Sequence, residues 1–129
     1  MTGSLALDTN AAIAYAARIS AVRGIVDVAA TLVLPVPVLG ELLYGARTSG
    51  RAAENERGVW SMAERCEVAP ADGAVAARYA AVRAELKARG RPVPENDLWI
   101  AAICLERGVP LLTSDCHFLW VPDLDVRGW

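Results

Sequence analysis

Short apolar runs along the chain alternate with longer stretches in which apolar residues recur every three or four positions. The short runs carry few polar side chains and stop at turn-forming residues, which is typical of strands buried on both faces. Five runs are predicted strands: residues 4–7, 31–36, 66–69, 109–113 and 123–127. The last of these is expected to lie at an edge of the sheet.

The longer stretches predict six helices. They lie at residues 20–29, 37–46, 52–65, 72–89 and 98–105, with one more that starts near residue 11. Ser20 is the expected N-cap of the second helix, and Pro37 suits the first turn of the third. Gly90 and Gly108 are expected to close the last two helices. Continuous apolar strands that alternate with helices predict an α/β fold whose parallel sheet is covered on both faces.

Composition places the chain among small cytoplasmic proteins. Its 129 residues fit one domain with a single core. No uninterrupted apolar stretch approaches the roughly 18 residues of a membrane span, so a membrane protein is not expected. The N-terminus lacks a basic segment and has Asp8 inside its first apolar stretch, which argues against a signal peptide. Three cysteines without CxxC spacing suit reduced thiols, which favours the cytoplasm.

The formal net charge of −2 argues against a protein that coats nucleic acid through bulk positive charge. A local basic patch is still compatible with that sum. Five of the basic residues fall within one segment: Arg78, Arg83, Lys87, Arg89 and Arg91. A solvated helix face is the simpler interpretation of this segment, and a phosphate-binding surface is the alternative.

Four acidic residues are the strongest candidates for chemistry. Asp8 and Asp115 each follow a predicted strand, while Glu41 and Asp97 lie in the first turns of predicted helices. Because ligand sites in parallel sheets lie beyond the carboxyl ends of the strands, we expect all four to converge there. Clustered carboxylates raise one another's pKa values and stay ionised only around a cation. Their oxygen ligands favour Mg²⁺ or Mn²⁺ over Zn²⁺.

Neutral polar residues accompany the four acids in the sequence and are expected to support the metal ligands and bound water. They are Thr9, Asn10, Asn96, Thr113 and Ser114. A site of this kind suits phosphodiester hydrolysis, because a divalent metal activates water and neutralises charge on the phosphate.

Each acid also has an ordinary explanation. Asp8 and Asp115 could be turn or cap residues, Glu41 a solvent-facing helix residue, and Asp97 a complement to a helix dipole. The coincidence of all four favours a site. For His117, beside Cys116, a structural hydrogen bond is favoured over a role as metal ligand or general base. The four tryptophans are expected to pack in the core or in a dimer rather than stack on bases.

Four segments together resemble a known family. They are residues 7–10 (LDTN), 41–46 (ELLYGA), 96–102 (NDLWIAA) and 113–118 (TSDCHF). In their order and spacing, over nearly the whole chain, they resemble the PIN-domain ribonuclease toxins of the VapC family. The resemblance implies a three-layer α/β/α sandwich with a mainly parallel central sheet, formed by residues 1–129 as a single PIN domain. It also implies an endoribonuclease dependent on Mg²⁺ or Mn²⁺, acting on RNA such as tRNA or rRNA and neutralised by a VapB-type antitoxin.

The resemblance also implies roles for individual residues. Asp8, Glu41 and Asp97 match the three principal acids of the family, and Asp115 matches the fourth, more variable one. Asp8 and Asp97 are expected to bind the metal directly, with Glu41 and Asp115 completing the cage or holding water. Family members are typically homodimers, and the helices that start near residues 11 and 38 are candidates for the dimer and antitoxin surfaces.

Two other functions compete with this one. The fold could serve mainly as half of a repressor complex with little nuclease activity, which the intact set of acids argues against. A phosphotransfer domain with Asp8 as nucleophile is a further alternative. It lacks the DxDxT arrangement, because Ala6 stands where that motif has its first acid.

Overall fold

A five-stranded sheet organises the chain, and a computed structural model describes it for residues 3–129. The strands are β1 (Ser4–Leu7), β2 (Thr31–Pro35), β3 (Glu67–Ala69), β4 (Leu111–Leu112) and β5 (Val126–Arg127). Their order in the sheet is β3-β2-β1-β4-β5, and every neighbouring pair is parallel. The predicted α/β fold with a parallel sheet is therefore confirmed.

Six α-helices connect the strands. They are α1 (Thr9–Ala16), α2 (Ser20–Val26), α3 (Val36–Arg47), α4 (Ala52–Glu64), α5 (Gly73–Ala88) and α6 (Glu95–Arg107). The right-handed crossovers expected between parallel strands place α1 to α4 on one face of the sheet and α5 and α6 on the other. None of the helices in the described residues is both long and apolar enough to cross a membrane.

The central strands and helix α6 are the most buried elements of the fold. The central strand β1 is buried from Leu5 to Leu7, and Leu111 and Leu112 of β4 beside it are fully buried. Helix α6 carries buried residues on nearly every side, as its apolar sequence predicts, because it packs against both the sheet and α5.

The strand order reverses at β1 in a way that creates a ligand site. From β1 the chain moves outward to β2 and β3, then returns to pair β4 on the other side of β1. The carboxyl ends of β1 and β4 therefore form the crevice at which parallel α/β sheets bind ligands. Register pairs Leu7 with Leu112, so the residues that follow these two strands are neighbours.

Several predicted boundaries were wrong for local reasons. Helix α1 begins at Thr9 rather than near residue 11, because the Asp8 side chain caps it. Ser20 is the first residue of α2 and not its cap: Ile19 is the cap, and its carbonyl accepts from the N–H groups of Val22 and Arg23. Pro35 is the last residue of β2, and the residue after it already belongs to α3.

Other differences lie near the C-terminus. The strand predicted at residues 109–113 is reduced to Leu111–Leu112, since Pro110 has no N–H group to donate to a neighbouring strand. The edge strand predicted at residues 123–127 is reduced to Val126–Arg127. Between them lies a 3₁₀ helix, η1 (Cys116–Trp120), that the apolar pattern did not indicate.

Candidate metal centre

Asp8 is the most firmly held of the four acids. It follows β1 directly, is only 4% exposed, and forms the N-cap of α1. Its Oδ1 atom accepts a hydrogen bond of 2.7 Å from the backbone N–H of Ala11. Its Oδ2 atom accepts a hydrogen bond from the hydroxyl of Thr113. Both carboxylate oxygens are thus oriented by the protein, and each retains a lone pair for a further partner.

Thr113 connects Asp8 to Asp115. This buried threonine follows β4, and its hydroxyl oxygen accepts from the backbone N–H of Asp115 at 2.9 Å while the hydroxyl donates to Asp8. Asp115 in turn caps η1, because its Oδ1 atom accepts from the backbone N–H of His117 at 2.9 Å. One hydroxyl therefore fixes the carboxyl ends of β1 and β4 relative to each other.

Asp97 lies in the first turn of α6 and is partly buried. Burial raises its pKa to about 6, with further increases from the charges of Asp115, Glu41 and Asp8, while His117 lowers it. That these three acids act on Asp97 shows that α6 brings its first turn to the strand ends. Asp97 is accordingly the acid whose charge is least compensated by the protein.

Burial also raises the pKa of Asp8, and the charges of Asp115 and Glu41 add to this. The hydrogen bonds from Thr113 and Ala11 act in the opposite direction, because they stabilise the carboxylate. The charges of Asp115 and Glu41 therefore act on both Asp8 and Asp97, so all four acids lie near one another at this edge of the sheet.

Glu41 occupies the outer rim of the centre. It lies on the exposed side of α3, and its Oε1 atom accepts a hydrogen bond from the side-chain amide of Asn96. This contact joins α3 to the first turn of α6, the turn that also carries Asp97. Glu41 consequently lies beside the turn of α6 that carries Asp97, on the solvent-exposed side of the centre.

His117 lies closer to the acids than the sequence indicated. One carboxylate oxygen each of Asp97 and Asp115 and one ring nitrogen of His117 all lie within 4.8 Å of one another. The Nδ1 atom of His117 is buried and lies 2.8 Å from Oδ1 of Asp115, but it forms no hydrogen bond with that atom or with any other described residue. The sequence did contain a signal for this approach, because Asp115 can cap the turn that follows it. Such a cap brings the residue two positions later, His117, close to the Asp115 carboxylate.

Some of the predicted supporting residues contact the acids of the centre and others do not. Thr113 and Asn96 hydrogen-bond to acids of the centre. Thr9 has a buried hydroxyl oxygen without a partner in the described part of the chain. Asn10 and Ser114 are exposed, and within residues 3–129 neither side chain hydrogen-bonds to any of the four acids.

The donor atoms at this edge fit a divalent cation. Within residues 3–129, no lysine or arginine nitrogen lies within 4.0 Å of any of the four carboxylates. Carboxylate oxygens with a neighbouring hydroxyl are ligands that Mg²⁺ and Mn²⁺ accept. The unpartnered atoms of Thr9 and His117 are polar groups that a bound ion with its water could satisfy.

An apolar groove opens beside the centre. It has a volume of about 760 Å³ and lies between α1, α3 and α4. Most of its lining residues are apolar or small, among them Ile13, Leu42 and Gly58. Four polar residues also line it: Thr9, Glu41, Glu54 and Asn55. The groove therefore runs from Glu41 and Thr9 along α1 and α3, the two helices that are candidates for the dimer and antitoxin surfaces.

Comparisons with known proteins identify the family to which the chain is similar. Residues 5–123 match the PIN domain family. The chain is 37% identical to Ribonuclease VapC4 of Mycobacterium tuberculosis over 93 residues, which cover 70% of this chain and 72% of that protein. It is 35% identical to the tRNA(fMet)-specific endonuclease VapC of Shigella flexneri, over 70% of each chain.

Solved structures are similar over the full length. DNA-bound VapBC from Salmonella typhimurium contains a chain with a TM-score of 0.91 and 28% identity, covering 100% of this chain and 99% of that one. VapBC-1 from nontypeable Haemophilus influenzae gives a TM-score of 0.90 and 28% identity, covering 98% of both chains.

Proposed function

The chain belongs to the PIN-domain family and, within it, to the VapC ribonucleases, and from this membership we propose that it is a divalent-metal-dependent endoribonuclease toxin. One observation carries the proposal. Four acids converge at the switch point of a parallel sheet, and no lysine or arginine of the described residues neutralises them. An arrangement of this kind is stable when ionised only with a cation among the carboxylates.

In this proposal, Asp8 and Asp97 hold Mg²⁺ or Mn²⁺ directly, and Glu41 and Asp115 complete the site. A divalent ion bound there lowers the pKa of water and neutralises charge that develops on a phosphate. The protein's own residues prepare the site: Thr113 and the N–H of Ala11 fix the Asp8 carboxylate, and Asn96 orients Glu41. Asp115 holds the start of η1 and with it the position of His117.

Cleavage of RNA by the purified protein, freed of any antitoxin, tests the proposal. Wild-type protein is expected to cleave with Mg²⁺ or Mn²⁺ and to stop when EDTA is added. Asp97→Asn is expected to be inactive, because it removes the partly buried ligand with little change in shape. Glu106→Gln is the matched control, since it also neutralises an acid of α6 but one paired with Arg78 on the surface. Metal-independent cleavage, or full activity of Asp97→Asn, would overturn the proposal.

The substrate is proposed to be a transfer RNA. Similarity to the tRNA(fMet)-specific endonuclease VapC supports this choice over ribosomal RNA. Incubating the protein with total cellular RNA and mapping new 5′ ends would identify the cut. Ends confined to ribosomal RNA would contradict a transfer RNA substrate.

We further propose that a VapB-type antitoxin places an apolar segment in the groove between α1, α3 and α4. Support comes from similar chains that were solved as VapBC complexes and from the groove's direct path to Thr9 and Glu41. A segment seated there would cover the entrance to the acids.

A glycine substitution tests this seat. A side chain at Gly58 of α4 would project into open space in the groove, so Gly58→Leu is expected to weaken antitoxin binding strongly while RNA cleavage persists. Gly24→Leu is the control, because Gly24 also faces open space but lies on α2 outside this groove. Equal antitoxin affinity of the two variants would exclude the groove.

Residues 1–129 are proposed to form one PIN domain that assembles as a homodimer. Large apolar side chains remain exposed on α3 and α4, including Tyr44 at 71% and Trp60 at 48%. Surface of this kind is typical of a protein interface. Light scattering on the free toxin should give the mass of two chains, and the mass of one chain would refute the dimer.

A further inference from the structure

A second groove lies on the opposite side of the first turn of α6. It has a volume of about 470 Å³ and is formed by the end of α5, the loop after it and the start of α6. Its apolar walls come from Leu86, Pro92, Val93 and Leu98. The metal centre does not use any of these side chains.

Positive charge dominates this groove. Arg83, Lys87 and Arg91 line it and are exposed, whereas Glu95 is the one carboxylate among its lining residues in the described chain. Glu95 is already engaged, because its Oε1 atom accepts from the Tyr79 hydroxyl at 2.7 Å and from Arg83 at 3.3 Å. Lys87 and Arg91 therefore give the groove excess positive charge on a protein whose net charge is −2.

The groove lies next to the metal centre, with the first turn of α6 between them. Glu95 and Leu98 line it, and the residues between them in α6, Asn96 and Asp97, face the acids. A helix is about 10 Å across with its side chains, so the two sites are separated by roughly that distance.

Contacts among Arg91, Trp120 and His117 connect the groove to the metal centre along the surface. The Arg91 guanidinium lies over the Trp120 ring, 5.2 Å from its centroid. Trp120 meets the His117 ring edge to face, with centroids 5.5 Å apart. His117 in turn borders Asp97 and Asp115, so a continuous surface leads from the acids to the basic groove.

We propose that this groove binds the sugar-phosphate backbone of the substrate RNA beside the bond that is cut, with Lys87 and Arg91 as its phosphate contacts. The inference rests on the proposed ribonuclease function. Backbone contacts of this kind position a strand without reading its sequence. RNA is favoured over an acidic peptide because the groove lies about one helix diameter from the carboxylates at which a phosphate would be cut, a distance that neighbouring nucleotides of one strand can span. The apolar walls and the Trp120 ring also suit sugar and base faces.

RNA binding by paired charge variants tests the assignment. The probe is a short fluorescein-labelled single-stranded RNA, titrated in EDTA so that cleavage cannot occur. The double variant Lys87→Gln and Arg91→Gln is expected to bind about tenfold more weakly, as expected for lost phosphate contacts. The slope of log affinity against log salt concentration should fall by about 1.4, because each phosphate contact on a single strand contributes about 0.7.

A double variant elsewhere provides the matched control. Arg23→Gln and Arg57→Gln remove the same charge from exposed positions on α2 and α4, outside the groove. This control should leave RNA affinity within about twofold of wild type and retain the salt slope, as expected for charges that contact no phosphate. With metal present, the groove variant should raise KM and retain kcat, which is the pattern of lost uniform binding.

Equal weakening by both double variants, or no weakening by the groove variant, would overturn the inference. Loss of antitoxin binding by the groove variant with unchanged RNA affinity would also overturn it, by showing that the surface receives a protein. Failure of the ribonuclease proposal gives a different result: wild-type protein would not cleave RNA although its binding still depended on Lys87 and Arg91.

Discussion

Acidic residues in this protein exist in two contrasting environments. On the outer surface, seven carboxylates each lie within 4.0 Å of an arginine nitrogen. They are Glu54, Glu56, Glu67, Glu85, Glu95, Glu106 and Asp125. At the carboxyl edge of the sheet, in the part of the chain that the structure describes, the four acids have no such arginine and repel one another.

Two residues of one helical turn show the difference most clearly. Glu95 is exposed and contacts Arg83 and Tyr79. Asp97 is partly buried, and this burial, together with the neighbouring carboxylates, raises its pKa to about 6. Exposed pairs contribute only about 0 to 1 kcal/mol each, so the surface acids alter stability little. Because the pKa values of Asp8 and Asp97 are raised, ionisation of these two carboxyl groups lowers the stability of the metal-free fold, and a bound cation would offset this loss.

Asp8→Asn should give the largest effect, lowering the rate of RNA cleavage by about 10²–10³-fold or more, as expected when one preorganised electrostatic group is lost. Folding should persist, because asparagine caps a helix as well as aspartate does. Single-turnover kinetics with saturating RNA would measure the rate. The control Asp125→Asn removes a surface acid paired with Arg127 and should cleave normally. Comparable losses of cleavage rate in the two variants would mean that the acids at the sheet edge and those on the outer surface do not differ in function.

Thr113→Val should reduce metal affinity or activity by about 10–100-fold, the usual range for groups that orient metal ligands. Valine keeps the shape of threonine but removes the hydroxyl that joins Asp8 to the backbone of Asp115. Thr48→Val is the control, because within residues 3–129 the Thr48 hydroxyl bonds to backbone carbonyls of α3 and not to any acid of the centre. Calorimetric titration with Mn²⁺ would compare the metal affinities of the two variants. Wild-type affinity in Thr113→Val would show that the Thr113 hydroxyl between Asp8 and Asp115 is not needed for metal binding.

Metal affinity should fall by about tenfold for each pH unit below about 6, because the ion must displace a proton from Asp97. Asp8, whose pKa is also raised, steepens the fall at lower pH. Mn²⁺ titrations over this pH range would provide the slope. Affinity that does not change with pH would mean that Asp97 is not a ligand.

The smallest effect should be a gain in stability. The folded pKa of Asp97, about 6, lies above its ordinary value of 3.8, so stability of the metal-free protein falls as pH rises between these values. Asp97→Asn removes this loss and should raise the melting temperature at pH 7 by a few degrees. The difference should disappear below pH 3.8, where the wild-type carboxyl is also protonated. A lower melting temperature of the variant at pH 7 would contradict this account of the edge.

The sequence predicted the strands and helices well where burial alone decides the pattern. Helix α6 and strand β1 are covered on nearly every side and are therefore apolar, and this apolar composition can be read from the sequence alone. The predictions were wrong where a single side chain or connection determines the residue at which an element begins or ends. Ile19 rather than Ser20 caps α2, since the chain leaves α1 through Arg18 in a left-handed conformation.

The site was predictable in its acids but not in its surroundings. Strand ends and helix starts indicated that Asp8 and Asp97 share one edge, because parallel topology constrains where they lie. The approach of His117 depends on η1, which begins at the side-chain cap formed by Asp115. The basic groove depends on the angle between the end of α5 and the start of α6, which periodicity along one helix does not encode.

Calorimetric titration of the metal-free protein with Mn²⁺ at neutral pH tests the central claim most directly. Wild-type protein and Glu106→Gln should bind Mn²⁺ with the same affinity, whereas Asp97→Asn should show little or no binding heat. Wild-type affinity in Asp97→Asn, or no binding by the wild-type protein, would show that the four acids are not a metal centre.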